Sequence, residues 1–246
     1  MTLQLDTIAA HLAGLEETLI YKLLDRAQFA GNAGAYQPGQ SRFQPPETAS
    51  LFELRLLYQE TLDTQFGRYR IPEERPFHLG LPTPRRVPVQ SETGLVIHDL
   101  ETVNVTGPIR QLYLEVLPRL SGTGDDGQWG SSVEHDVICL QALARRIHYG
   151  ALYVGESKFR EDPERYAALV AARDDGAISE AITRVEVEER VLARVKAKVE
   201  AVQSVSDPAL RRVVDPGTIV DFFRTAIIPL TKDGEIRYLY QRVQKA

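Results

Sequence analysis

Apolar residues in this chain recur at helical spacing almost everywhere, and that periodicity limits the fold more than any other feature. From Asp6 onward Ile8, Leu12, Leu15, Leu19 and Leu23 fall three or four positions apart, which marks one buried helical face. The two-residue alternation of a half-buried strand is never sustained. Only Gly94–His98 reads as a short strand, and it has no convincing partner. Stripes of this kind are buried by packing helix on helix.

Local signals divide the chain. Gly31-Asn32-Ala33-Gly34 stops the first helix, and Ser50-x-x-Glu53 forms a capping box that opens a second, running to about Phe66. Prolines at 72, 76, 82, 84 and 88 mark a long crossing connection between Ile71 and Thr106. Thr106-Gly107-Pro108 opens another helix, and Ser121–Gly127 closes it. A second capping box, Ser131-x-x-Glu134, predicts a long helix toward Lys158. Asp162-Pro163 starts a shorter one, Gly176 breaks it, and an amphipathic helix is expected from about Ile178 to Gln203. Asp207-Pro208 and Asp215-Pro216 each predict a further helix start, and Pro229 should kink or divide the last one. The reading is a single all-α domain over residues 1–246, a bundle of about ten to twelve helices.

Composition excludes several function classes. A 246-residue chain with 43% hydrophobic residues can build a real core. Its net charge of −5 argues against nucleic-acid and anionic-membrane partners. The single cysteine, Cys139, excludes an internal disulfide and a thiolate metal cluster. An acidic amphipathic N-terminus is unlike a signal peptide, so the expected location is the cytoplasm. Glu134-His135-Asp136 is not a metal site, because consecutive helix positions cannot face one ion.

Three charges sit where apolar residues belong. On the helix after Gly176, Glu188 lies about 60° from Val185 and about 40° from Leu192, inside the stripe. Arg146 interrupts the preceding long helix about 60° from Leu143. Thr231 and Glu235 are one turn apart and share a face with Leu239. Each has an ordinary explanation as a surface pair or a snorkelling side chain. Each is also what a polar pocket between bundled helices requires.

The residues then become specific. Gly130-Ser131 followed by Asp136–Gly150, Glu156-Ser157-Lys158-Phe159, Ile182-Thr183 with Val187-Glu188-Glu189, and Ile228-Pro229-Leu230-Thr231-Lys232 together resemble the all-helical chorismate mutases of fungal and plant type. Leu15–Ala30 fits the first helix of that family, so the resemblance spans almost the whole chain in order. It implies a Claisen rearrangement of chorismate to prephenate that needs no cofactor or metal. The resemblance implies that Arg146 pairs with a substrate carboxylate and that Lys158 serves a carboxylate and the ether oxygen. Glu188 would hold the ring hydroxyl. Protonated Glu235 would donate to the ether oxygen, with Thr231 beside it. A homodimer is implied, and the heptad-like first helix is expected to contribute to its interface. Tyrosine or tryptophan would act as effector near Arg68, Gly130 and Ser131, with Asp215 at the family's switching position.

The chain departs from the family at three positions. A further arginine of the first helix is Ala9 here, and Met1–Tyr21 contains neither Arg nor Lys. An asparagine one turn before the catalytic glutamate is Arg184, which is expected either to substitute for the absent arginine or to pair with Glu188 or Glu180. Arg146 and Lys158 are twelve apart where the family has eleven, leaving them about 120° rather than about 20° apart on a regular helix. Both can face one pocket only if a residue near Gly150–Gly155 is absorbed, for instance in a π-bulge. These changes leave open another chorismate-like dianion as substrate, or a catalytically silent binding protein.

Overall fold

The computed structural model describes residues 4–87 and 92–243, and among them every regular element is helical. Helix α1 (Leu5–Arg26) packs along the length of α4, and its stripe of Ile8, Leu19, Ile20, Leu23 and Leu24 is buried in the core. That stripe is therefore not available to a partner subunit. Helix α2 (Leu51–Gln65) begins as expected, with the Ser50 hydroxyl accepting from the Glu53 N–H at 3.2 Å. The Glu53 carboxylate does not complete the box; it pairs with Arg110 at 3.1 Å on α3 (Thr106–Leu120).

Helix α4 is one continuous rod over 129–161: α-helical at Trp129–Tyr149, π-helical at Gly150–Val154, α-helical again at Gly155–Glu161. It starts two residues before the predicted box. Asp126 accepts from the Gln128 N–H, and Asp125 accepts from the Trp129 indole, so the loop enters the helix early and Ser131 lies in the first turn.

Short helices α5 (Pro163–Ala172) and α6 (Asp175–Ile182) follow, capped by Asp162 and Asp174. The long helix expected over 178–203 is in fact two. Thr183 closes α6 by donating from its hydroxyl to the Ser179 carbonyl, and Arg184 adopts φ −126°, ψ 85° before α7 (Val185–Ser204) begins. Asp207-Pro208 makes only a turn, in which the Leu210 and Arg211 N–H groups donate to the Asp207 carbonyl, and Gln203 ties both sides of Val214 to close the loop.

The last rod, α8 over 216–243, is capped by Asp215 and is not divided at Pro229. A π segment, Phe223–Ile227, ends one residue short of the proline and widens the turn its ring would otherwise clash with. Fusion through the two π segments gives eight helices among the described residues, fewer than ten to twelve.

Gly94–His98 is not a strand. Its backbone N–H groups and that of Asp99 donate instead to side chains of α8: Val96 to Tyr238 Oη, His98 and Asp99 to Gln241 Oε1. The connection holds Pro72, Pro76, Pro82 and Pro84 in irregular structure, while Pro88 lies outside the described residues.

Helix α8 contributes to all three apolar cores, through Ile227, Tyr238 and Leu239. Within the first core, Arg26 and Asp136 form a fully buried ion pair at 2.6 Å, with the Tyr113 hydroxyl of that core donating to the same carboxylate at 2.7 Å. No helix is long and apolar enough to cross a membrane among the described residues.

Candidate active site

The π segment decides what α4 presents to α8. Hydrogen bonds to the fifth residue back absorb one extra position, so Arg146 and Lys158 come to face the same helix despite twelve intervening steps. Arg146 Nη1 donates to Thr231 Oγ1 at 3.0 Å, and Lys158 Nζ donates to Glu235 Oε2 at 2.6 Å. Their two acceptors are one turn apart on α8.

Close approach of the rods depends on small residues. A Cβ at Gly150 would lie 2.8 Å from Thr231 Cγ2, and one at Gly234 would lie 2.6 Å from the Ala151 Cβ. Any larger residue at either position forces the helices apart.

Thr231 is buried and held at both ends: its hydroxyl also donates to the Ile227 carbonyl at 2.7 Å. The break between α6 and α7 has a direct role here. It frees the Ile182 carbonyl, which accepts from Lys158 Nζ at 2.6 Å, and it places Glu188 in the first turn of α7. A carboxylate is favoured at that helix end. Glu188 Oε1 lies 2.6 Å from Lys232 Nζ, both side chains about one-quarter exposed. Burial pushes the Glu235 carboxyl above the usual carboxylate range, although Lys158, Lys232 and Arg146 pull it back.

Three contributors escaped the sequence reading. Glu16, 1% exposed on α1, accepts from Arg146 Nη2 at 2.9 Å through one oxygen and from Arg194 of α7 through the other. Lys232 is the third. Glu16 carried a signal, since it stands between Leu12 and Ile20 at four-residue spacing, inside the apolar face of α1. Arg194 and Lys232 carried none, because only the assembled helices bring them to their carboxylates.

Arg184 is not among the residues brought together here. Its side chain is 54% exposed and lies 3.8 Å from Glu161, paired with neither Glu188 nor Glu180. The non-helical backbone at 184 turns it away from the face that holds Glu188. Ala9 is exposed on α1.

The expected effector residues are not together within one chain. Arg68 pairs with Asp63 at 2.7 Å and donates to Gln141 at 2.8 Å, near the middle of α4. Gly130 and Ser131 lie at the start of that helix, about 15 Å away along its axis. Asp215 accepts from the Gly217 N–H at 3.0 Å as the cap of α8.

No family model matches the chain. Among curated proteins it is 37% identical over 252 residues to the chloroplastic chorismate mutase 1 of Zea mays, covering 98% of this chain and 79% of that protein. It is 36% identical to the chorismate mutase of Trichoderma parareesei, covering 98% and 94%. Among solved structures, the chorismate mutase of Candida albicans in complex with L-tryptophan superposes with a TM-score of 0.91 at 34% identity, covering 99% of this chain and 93% of that one.

Proposed function

Because the chain belongs to the chorismate mutase family, we propose that Arg146, Lys158, Glu188 and Glu235, with Thr231, carry the rearrangement of chorismate to prephenate. One observation supports this reading above others: six polar residues spread over three helices, α4, α7 and α8, are paired between the helices in ion pairs and hydrogen bonds of 2.6–3.0 Å.

The reaction moves no atom to or from the protein. An ether C–O bond breaks as a C–C bond forms within chorismate, and electron density builds on the ether oxygen. Catalysis consists of holding the compact conformer and stabilising that charge. Arg146 takes one carboxylate with its planar fork. Lys158 takes a carboxylate and the ether oxygen, leaving Glu235. Without its lysine, buried Glu235 holds a proton and donates it as a hydrogen bond to the same oxygen. Arg146, Lys158, Lys232 and Arg194 face Glu16, Glu188 and Glu235, so with Glu235 protonated the pocket has two positive charges in surplus for a dianion. Glu188 accepts from the ring hydroxyl.

Chorismate loss followed by absorbance, with the product identified as prephenate, tests this. Arg146→Ala and Lys158→Ala should each lower kcat/KM by about 10²–10³ with the fold intact. If Lys158→Ala turns over normally, that lysine is not in the site. Another product would favour a different chorismate-like dianion, a reading the named relatives do not support.

For assembly, the stripe of Tyr58 and Leu62 on α2 with Phe66 at its C-cap, each half-exposed or more, is the proposed homodimer surface. An effector touching both Arg68 and Gly130-Ser131 would then bridge two subunits, and tryptophan or tyrosine is the proposed class. Sedimentation of Leu62→Glu checks the surface: an undiminished dimer would dismiss it. The proposed location is the cytoplasm, where the lone buried Cys139 stays reduced.

A further inference from the structure

We propose that Lys232 is a positioning residue for the reaction, fixing the Glu188 carboxylate so that it meets the substrate's ring hydroxyl. This rests on the assignment of Glu188 above.

One turn of α8 engages three separate parts of the pocket. Thr231 meets Arg146, Glu235 meets Lys158, and Lys232, about 100° around the helix from Thr231, reaches across to α7 and Glu188. Glutamate in the first turn of a helix, about one-quarter exposed, has several rotamers open to it. Lys232 Nζ at 2.6 Å from Oε1 selects one of them and leaves Oε2 for a hydroxyl donor. The adjoining carboxyl of Glu235 is buried and does the opposite work as a donor. Lys232 thus ties α8 to the Glu188 carboxylate of α7, while Glu235 is tied to Lys158 of α4.

Arg184 faces Glu161, which leaves Lys232 as the cation in contact with Glu188 among the described residues. A lysine so placed could instead bind a substrate carboxylate directly, in place of the arginine absent at Ala9. The two roles differ in their kinetics. A residue that acts through Glu188 has nothing to contribute once Glu188 or the ring hydroxyl is gone.

The test uses the full chain with Lys232→Gln, Lys232→Arg, Glu188→Gln and the double variant Lys232→Gln/Glu188→Gln. Each is checked for unchanged far-UV circular dichroism and melting temperature. With chorismate, Lys232→Gln should lower kcat/KM about 10-fold, within the range of couplings between contacting residues. The loss should fall mainly on KM, and Lys232→Arg should recover most of it. In the Glu188→Gln background, or with an analogue of chorismate lacking the ring hydroxyl, the same substitution should change kcat/KM by less than about 2-fold. Losses that multiply in the double variant, or an equal loss on the analogue, overturn the proposal and make Lys232 a carboxylate ligand. Full activity of Lys232→Gln beside an impaired Glu188→Gln overturns this proposal alone. Full activity of Glu188→Gln removes the underlying assignment and this one with it.

Discussion

Replacing Gly150 by alanine places a methyl group where the two rods touch. Its Cβ would lie 2.8 Å from Thr231 Cγ2, 3.4 Å from Arg146 Nη1 and 3.6 Å from Leu12 Cδ2. Carbon atoms settle about 3.5–4.0 Å apart, so Thr231 must retreat by about 1 Å. It cannot rotate freely, because its hydroxyl donates to Ile227 at 2.7 Å and accepts from Arg146 at 3.0 Å. Overpacking of this kind costs about 1–3 kcal/mol, and the better helix propensity of alanine offsets about 1 kcal/mol. The net loss of about 0–2 kcal/mol lowers the melting temperature by no more than about 8 °C in a chain of this size. Activity suffers more, since a displacement of about 1 Å in a positioning group costs about 10² in rate. Calorimetry and kcat/KM on chorismate, measured together, separate the two effects. Gly14→Ala is the control: it lies within α1 with nothing within 4 Å of the added Cβ. It should gain about 0.5–1 kcal/mol with kcat/KM unchanged. If Gly150→Ala keeps wild-type kcat/KM, the π segment and α8 do not hold Thr231 and Arg146 in register.

Glu235→Gln should flatten the alkaline limb of the kcat/KM profile. Burial raises the Glu235 carboxyl, its donor form exists below that raised value, and activity falls as pH rises through it, whereas glutamine keeps its donor; identical limbs for the two proteins would refute this. Arg184→Asn should retain near-wild-type turnover and stability within about 1 kcal/mol, because its partner Glu161 is exposed. A strong loss of turnover would mean that Arg184 enters the pocket with substrate. His148 is buried with Nδ1 on the Ala144 carbonyl and Nε2 accepting from the Val105 N–H, and burial lowers its pKa to about 4. The folded state resists its protonation, so stability present above pH 6.5 declines toward pH 4 by about 3 kcal/mol. Denaturant melts across that window should show the decline in the wild type and not in His148→Gln; equal slopes would contradict it.

Much of the architecture was legible because helix stripes and caps are local. Ser50, Asp162 and Asp215 cap helices as their residue types dictate. The errors arose where a side chain from elsewhere competes with the local signal. Asp126 and Asp125 draw Trp129 into α4 ahead of Ser131, and Gln203 closes the loop that Asp207-Pro208 was expected to make helical. The break at 183–184 had no punctuating glycine or proline, so the periodicity ran through it. Within the site, Arg146, Glu188 and Glu235 betrayed themselves as charges on apolar faces. The need for an extra turn residue followed from counting, since twelve steps cannot align two side chains on a regular helix. Lys232 and Arg194 lie beyond any such count, because their partners are on other helices.

The pocket draws on α1 for Glu16, α4 for Arg146 and Lys158, α7 for Glu188 and Arg194, and α8 for Thr231, Lys232 and Glu235. That scatter has a consequence in time. A chain leaving the ribosome can pack α1 against α4 early, but Lys158 meets no carboxylate and Arg146 no threonine until α8 docks. At about 5–20 residues per second, the stretch from the end of α7 to the end of α8 takes about 2–8 s to synthesise. Through most of that interval the nascent chain lacks the Thr231, Lys232 and Glu235 of the candidate site. Chorismate can stabilise only chains in which α8 has docked, so on the proposed assignment the substrate selects for that docking rather than assisting it.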